Sequence, residues 1–249
     1  MAVQIRYFKV SDEWCVVHLP ERPNGFAVMI LGDVNHYVRE NETFWFKHPE
    51  RKVFIEQLLL KGYTIFYSHL FGKHWGNDKA FEVVRNLYHL VVKQEIINRK
   101  IHVIAEGIGG LLAIKMMAKM SKRIRSVILI NPCLHLYRYY KQEQKQKFFL
   151  KRLLRELAAS YELEIEEVEE KLLRKNSNWA EHNHIPVQIF HDMSNQRFSF
   201  NDHSRRYEMY RRKVGSPITL SLHLPGKPFD YFISKVTQFM QKHERILYR

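Results

Sequence analysis

Residues 101–119 read IHVIAEGIGGLLAIKMMAK. The run at 101–105 is short and apolar, as a strand buried on both faces of a parallel sheet must be. A glycine-rich corner follows at 106–110, EGIGG. From there Leu111, Leu112, Ile114, Met116 and Met117 supply the apolar positions of a helix. Strand, sharp turn and helix in direct succession form one unit of an alternating β-α chain.

Outward from this unit the rhythm continues in both directions. Residues 3–9 and 14–19 alternate apolar and polar positions around Ser11-Asp12-Glu13, which predicts an antiparallel hairpin. Residues 26–31, 63–67, 125–130 and 187–190 are apolar runs that predict buried strands, and 218–224 alternates as a last strand. Helices are expected over 50–60, 79–98, 202–214 and 229–243, with Asn77-Asp78 as the cap of the second. Residues 41–49 read as an aromatic-rich loop. The segment 134–184 breaks the pattern with a basic helix over 141–158 and an acidic one over 162–175. Strands alternating with helices argue for an α/β fold with a mostly parallel sheet.

The corner also carries a resemblance. With Ala105, Gly107 and Gly109 at its outer and central positions, it resembles the nucleophile elbow, G-x-S-x-G, of the α/β-hydrolase superfamily. Placing Glu106 at the centre instead would put Ile104 and Ile108 where the turn needs small residues, so Gly107 is the better register. The order of strands along the whole chain is similar to that superfamily. The resemblance implies a single domain over 1–249, an α/β-hydrolase-like sheet with helices on both faces, and a helical lid insertion over 134–184.

It also implies three chemical groups in chain order: nucleophile, acid and histidine. The nucleophile position is Gly107, which has no side chain to attack with. The acid position, after Pro186-Val187-Gln188-Ile189-Phe190-His191, falls on Asn195, which cannot carry the charge that stabilises an imidazolium. The histidine position falls on Phe229, or on Pro228, and no histidine occurs between His223 and His243. All three positions are vacated. Gly32, in the place of an oxyanion-loop glycine after the strand at 26–31, still offers backbone amides, because these do not depend on side chains. The expectation is a catalytically silent member, a pseudoenzyme, that binds a small molecule or a protein partner. Its pocket is expected near Gly32, Asp33, Ile108, His135 and Trp179.

Two alternatives stay open. One is an esterase-like hydrolase with displaced groups, drawing on Cys133, Asp192 or a pocket histidine. The other is a basic surface that binds a polyanion. The chain has 40 Lys and Arg against 26 Asp and Glu, a formal charge of +14, and such a field attracts anionic partners. The helix over 141–158 is basic and amphipathic, with Lys141, Lys145, Lys151, Arg152 and Arg155 beside its apolar face, a type that can meet an anionic membrane or an acidic partner. The plainer reading is that its apolar face covers the pocket. Arg205, Arg206, Arg211, Arg212 and Lys213 form a second cluster, without a nucleic-acid motif beside it.

No metal or cofactor is expected. The histidines show no H-E-x-x-H spacing, the cysteines no C-x-x-C, and His182-x-His184 is a weak pair. Gly107 to Gly110 is not a phosphate-loop pattern. No apolar run reaches the roughly 20 residues that span a bilayer. Two cysteines and an N-terminus without a signal-like apolar stretch point to a cytoplasmic protein.

Overall fold

The computed structural model describes residues 4–173, 179, 183–223 and 231–244. Strands β1 (Gln4–Val10) and β2 (Glu13–Leu19) form an antiparallel hairpin. Its two turn residues, Ser11 and Asp12, both have left-handed φ, of 51° and 66°. That twist matches a two-residue hairpin turn. After β3 (Ala27–Leu31) a small hairpin of β4 (Val38–Arg39) and β5 (Glu42–Thr43) leads into α1 (Phe44–Lys47) and α2 (Pro49–Leu60). Thr43 Oγ1 caps α1 by accepting from the Phe46 amide at 3.2 Å. Pro49 opens α2 where its missing amide hydrogen costs nothing.

Strand β6 (Thr64–Ser68), helix α3 (Asp78–Gln94), strand β7 (Ile101–Glu106), helix α4 (Gly109–Lys119) and strand β8 (Ile124–Ile130) continue the alternation. Helices α5 (Leu136–Gln146) and α6 (Leu150–Tyr161) come next. A 3-10 turn at Ile165–Glu167 and a π turn at Val168–Leu173 follow them. Strand β9 (Val187–Asp192), helix α7 (Arg206–Lys213), strand β10 (Ile218–His223) and helix α8 (Tyr231–Glu244) complete the described chain.

One eight-stranded sheet runs β1-β2-β6-β3-β7-β8-β9-β10. The pairs β1–β2 and β2–β6 are antiparallel, and every pair from β6–β3 to β9–β10 is parallel. Helices cover both faces, as the resemblance implies. One face carries α3, α4 and α7, whose Phe81, Leu87, Met116 and Tyr207 pack on Met29, Val103 and Leu129. The other carries α2 and α8, whose Phe54, Leu58, Phe232 and Val236 pack on Ile30, Ile104 and Ile128. A third apolar cluster lies past the carboxyl ends of the central strands. It joins Trp75, Ile108, Cys133 and Phe198 to Tyr139, Leu153, Leu157 and Leu173 of the 134–184 segment.

That third cluster explains where the helical expectations fail. The basic stretch 141–158 is two helices, not one. Lys147 takes a left-handed φ of 62°, and its amide closes α5 on the Glu143 carbonyl at 2.7 Å. Folding back there lets Tyr139 of α5 and Leu157 of α6 enter the same cluster, which one straight rod does not allow. The acidic stretch expected over 162–175 is, in its described part, a 3-10 turn and a π turn rather than a regular helix. Glu162, at φ 55°, stops α6 before it. Helix α3 ends at Gln94, four residues early, and α7 is preceded by a π turn at Asn201–Arg205. The loop expected over 41–49 contains β5 and α1.

Asn77 ties two layers together. Its Oδ1 accepts from the Ala80 amide at 2.8 Å and caps α3, while its Nδ2 donates to the Ser160 carbonyl at 2.7 Å on α6. Asn77→Ala is expected to cost about 1–2 kcal/mol in urea melts, the loss of a helix cap and a buried tie. Asn77→Asp, which keeps the acceptor and loses the donor, should fall between the two. Equal midpoints for wild type and alanine variant would remove this role.

Candidate functional site

The corner after β7 has the shape that the sequence suggests. Gly107 sits at φ 53°, in the left-handed region that glycine adopts without strain. Its amide donates to the Ile130 carbonyl at 3.2 Å, and its carbonyl accepts from the Cys133 amide at 2.8 Å. Gly109 lets α4 start against the end of β3, since a Cβ there would run into the Leu31 carbonyl.

The space in front of Gly107 is filled. A Cβ on Gly107 would lie 2.6 Å from Asp33 Oδ2 and closer still to Asp33 Cγ and Oδ1. Asp33 stands in the loop after β3, where Gly32 permits a tight turn: a Cβ on Gly32 would meet His36 Cβ at 2.5 Å. The His36 amide donates to the Asp33 carbonyl at 2.9 Å and closes that turn. The Asp33 carboxylate then accepts from two donors. The Ile108 amide donates to Oδ1 at 3.1 Å, and Arg197 Nη1 donates to Oδ2 at 2.6 Å. An ionised carboxylate only accepts, so both partners suit it.

Arg197 reaches the site from the loop after β9, and Asn195 builds that loop. Asn195 Oδ1 accepts from the amides of Arg197 at 3.0 Å and Phe198 at 3.1 Å. The guanidinium lies 4.7 Å over Phe198 and 5.9 Å over Trp75. Burial alone would lower the Arg197 pKa; the Asp33 charge, and after it the contact with Tyr139, more than offset this, and the net shift is upward. The Tyr139 hydroxyl is pushed up to about 12, chiefly by burial, and stays neutral. Tyr139 also stacks on Trp75 at 5.7 Å. Trp75 is held from the far side, where its carbonyl accepts from Tyr161 Oη at 2.8 Å and its indole donates to Glu156 Oε2 at 3.3 Å.

A second ionic group backs the corner. Arg51 on α2 makes a two-pronged contact with Glu106, the residue before Gly107, one prong being Nη2 to Oε1 at 2.5 Å. The Arg51 guanidinium lies 4.8 Å over Trp45. His36 approaches the same carboxylate at 3.8 Å, yet its pKa is lowered to about 3, first by burial and then by Arg51. His36 is therefore neutral at pH 7.

Other candidate reagents are similarly committed. The Cys133 thiol is wholly buried, and burial pushes its pKa up to about 12, so it carries no thiolate at neutral pH. Asp192 accepts from the Ser194 amide at 2.8 Å and the Ser194 hydroxyl at 2.7 Å. His191 Nδ1 lies 2.8 Å from Ser204 Oγ, and burial lowers its pKa to about 4. The Leu134 amide donates to His203 Nδ1 at 3.1 Å, and His203 is lowered to about 3 by burial.

Of the five residues expected around a ligand, the structure brings Gly32, Asp33 and Ile108 together at the elbow. His135 and Trp179 pack against each other, ring centres 5.5 Å apart, and line a separate cleft of about 240 Å³ with Trp75, Leu111 and Lys115. A second cleft of about 360 Å³ opens on the Arg197 side, bordered by Val34, Trp75, Tyr139, Phe149 and Leu153. Phe229, Pro228 and His182 lie outside the described residues. Sequence reading misses Arg197, Tyr139 and Arg51. Arg197 follows Asn195 by two residues, and a basic side chain so near the expected acid position was the one available signal.

No family model and no curated protein matches the sequence. Solved structures do match its shape. Uncomplexed acylaminoacyl peptidase of Pyrococcus horikoshii superposes with a TM-score of 0.71 at 16% identity, over 99% of this chain and 42% of the peptidase. The orthorhombic form of that enzyme gives 0.72 at 15% identity, over 98% and 41%. Est1E from Butyrivibrio proteoclasticus gives 0.64 at 12% identity, over 97% of this chain and 99% of Est1E. At such identities the likeness establishes the fold: this chain has the α/β-hydrolase fold. It spans about two-fifths of the peptidase's length.

Two outcomes follow from the geometry. Gly107→Ala should destabilise the protein by roughly 2–4 kcal/mol, from the left-handed φ and the collision with Asp33. The double variant with Asp33→Gly should cost less than the sum of the singles, as contact residues couple. Strict additivity in urea melts would contradict the collision. Stability should also depend on pH. His36, His74 and His203 have folded pKa values lowered to about 3, 4 and 3, each first by burial, against about 6.5 unfolded. The unfolded state therefore takes up protons first. The stabilisation is complete above about pH 6.5 and is lost as pH falls towards the folded values, on the order of 1–2 kcal/mol per histidine by pH 5. A melting temperature that stays flat from pH 7 to pH 5 would contradict these buried neutral imidazoles.

Proposed function

We propose that this chain is a catalytically silent α/β-hydrolase-fold protein, one domain whose 134–184 segment serves as a helical lid, and that it works by binding a small molecule or a protein partner. One observation carries this reading. The Asp33 carboxylate occupies the place where a nucleophile on Gly107 would begin, and it takes up the Ile108 amide. In hydrolases of this fold the amide after the nucleophile is an oxyanion donor. Here a side chain of the chain itself uses that donor. Asn195, at the acid position, serves as a turn former that presents Arg197.

The ligand site of this reading is the 360 Å³ cleft beside Arg197. Val34, Trp75, Tyr139 and Leu153 offer an apolar wall. Arg152 and Arg197 supply cationic groups, balanced by Glu143 and Glu156. That lining suits a compact ligand with an apolar body and a few polar groups. A hydrolase with displaced groups is the second reading, favoured by the acylaminoacyl peptidase among the structures of similar shape. Its candidates are Cys133, Asp192 and His135.

Purified protein should leave p-nitrophenyl acetate and butyrate unhydrolysed above buffer and remain unlabelled by a fluorophosphonate probe. Turnover that survives purification and disappears with Cys133→Ala, Asp192→Asn or His135→Gln would replace the silent reading with the second.

A further inference from the structure

The turn between α5 and α6 carries a second feature, centred on Phe148, although its Phe149 also borders the cleft of about 360 Å³. Phe148 and Phe149 are consecutive in this turn and are 88% and 56% exposed. Large aromatic rings in such positions lose apolar burial that the fold provides elsewhere. Ile96 is more exposed, but it stands alone. The two rings do not. From Gln144 to Arg155 the sequence is QKQKFFLKRLLR, with five cations and no carboxylate. Lys145, Lys147, Lys151, Arg152 and Arg155 are all exposed. Among the described residues only Arg152 of these five has an ion-pair partner, Glu156.

The backbone presents the pair deliberately. Lys147 turns left-handed at φ 62°, and α6 does not begin until Leu150, so the rings fall at the apex rather than on a buried helix face. The faces on either side of the apex are already used, since Tyr139, Leu153 and Leu157 are buried in the third cluster. On α5 a cleft of about 760 Å³ opens next to the apex. Arg138, Lys141, Lys145 and Arg206 line it against Asp202 alone among carboxylates.

We propose that this apex docks on an anionic lipid bilayer, with Phe148 and Phe149 entering the interface and the surrounding lysines and arginines facing lipid headgroups. An apolar point ringed by cations matches a surface that is negative outside and apolar beneath. Two rings bury far less area than a stable protein interface requires. They suit shallow insertion, where charge supplies much of the attraction and the rings hold the depth. The whole chain's charge of +14 adds to that attraction. No helix among the described residues is long and apolar enough to cross a membrane, so the contact is a surface one.

The full chain is tested by co-sedimentation with vesicles of phosphatidylcholine alone and of phosphatidylcholine with phosphatidylserine. Wild type should bind the anionic vesicles and not the neutral ones, and binding should weaken as salt rises. Phe148→Ser and, separately, Lys145→Glu/Lys147→Glu/Lys151→Glu should each reduce binding about tenfold or more. Because these side chains are exposed, both variants should melt like wild type. No binding to anionic vesicles overturns the proposal. So does undiminished binding of the phenylalanine variant, which would leave only diffuse charge. A wild-type dimer on gel filtration that the phenylalanine variant dissolves, with no vesicle binding, would assign the apex to a second copy of the chain instead.

Discussion

A single carboxylate governs the centre of this fold. Asp33 leaves the end of β3 and enters the cavity in front of Gly107, where it meets the Ile108 amide and the Arg197 guanidinium. A residue with a side chain at 107 and an aspartate at 33 in this pose exclude one another, because both need the same volume. The glycine is therefore doubly required. Its φ of 53° favours it, and so does the absence of a Cβ. Two charge-assisted hydrogen bonds, each of roughly 1.5–3 kcal/mol, hold the acid in place.

The rest of the site is built to keep that acid supplied. Asn195 shapes the loop that delivers Arg197, and Phe198 and Trp75 give the guanidinium aromatic surfaces. Tyr139 stacks on Trp75, and Tyr161, Glu156 and Ser160 of α6 hold the Trp75 loop through hydrogen bonds to Trp75 and to the His74 carbonyl. The described part of the 134–184 segment is thus packed on the charge pair through an aromatic layer. Behind the corner, Arg51 neutralises Glu106 and the buried His36 stays uncharged, so the elbow stands between two separate ion pairs. Charge that is paired in this way holds the geometry of the corner.

Much of the fold was readable in the sequence because its signals are local. The apolar runs at 101–105 and 125–130 have no alternative use in a chain of this length, and the hairpin shows in its alternation. The α5–α6 region was not readable in the same way. Lys147 has no intrinsic preference for a left-handed bend, and the break depends on Tyr139 and Leu157 sharing one distant cluster. Similarly, the exposure of Phe148 and Phe149 reverses what two adjacent aromatics suggest in isolation. The left-handed corner at Gly107 could be located by pattern. The Asp33–Arg197 pair beside it could not, since the two are 164 residues apart and meet only when the sheet is assembled.

The most direct measurement of the central claim is amide hydrogen exchange at Ile108, in wild type and in Asp33→Ala. If the Asp33 carboxylate holds that amide, its exchange is slow in wild type and accelerates strongly in the variant, while the amide of Leu112 inside α4 is unchanged. Equal exchange at Ile108 in both proteins would show that the donor is not held by Asp33, and the account of an occupied elbow would fail.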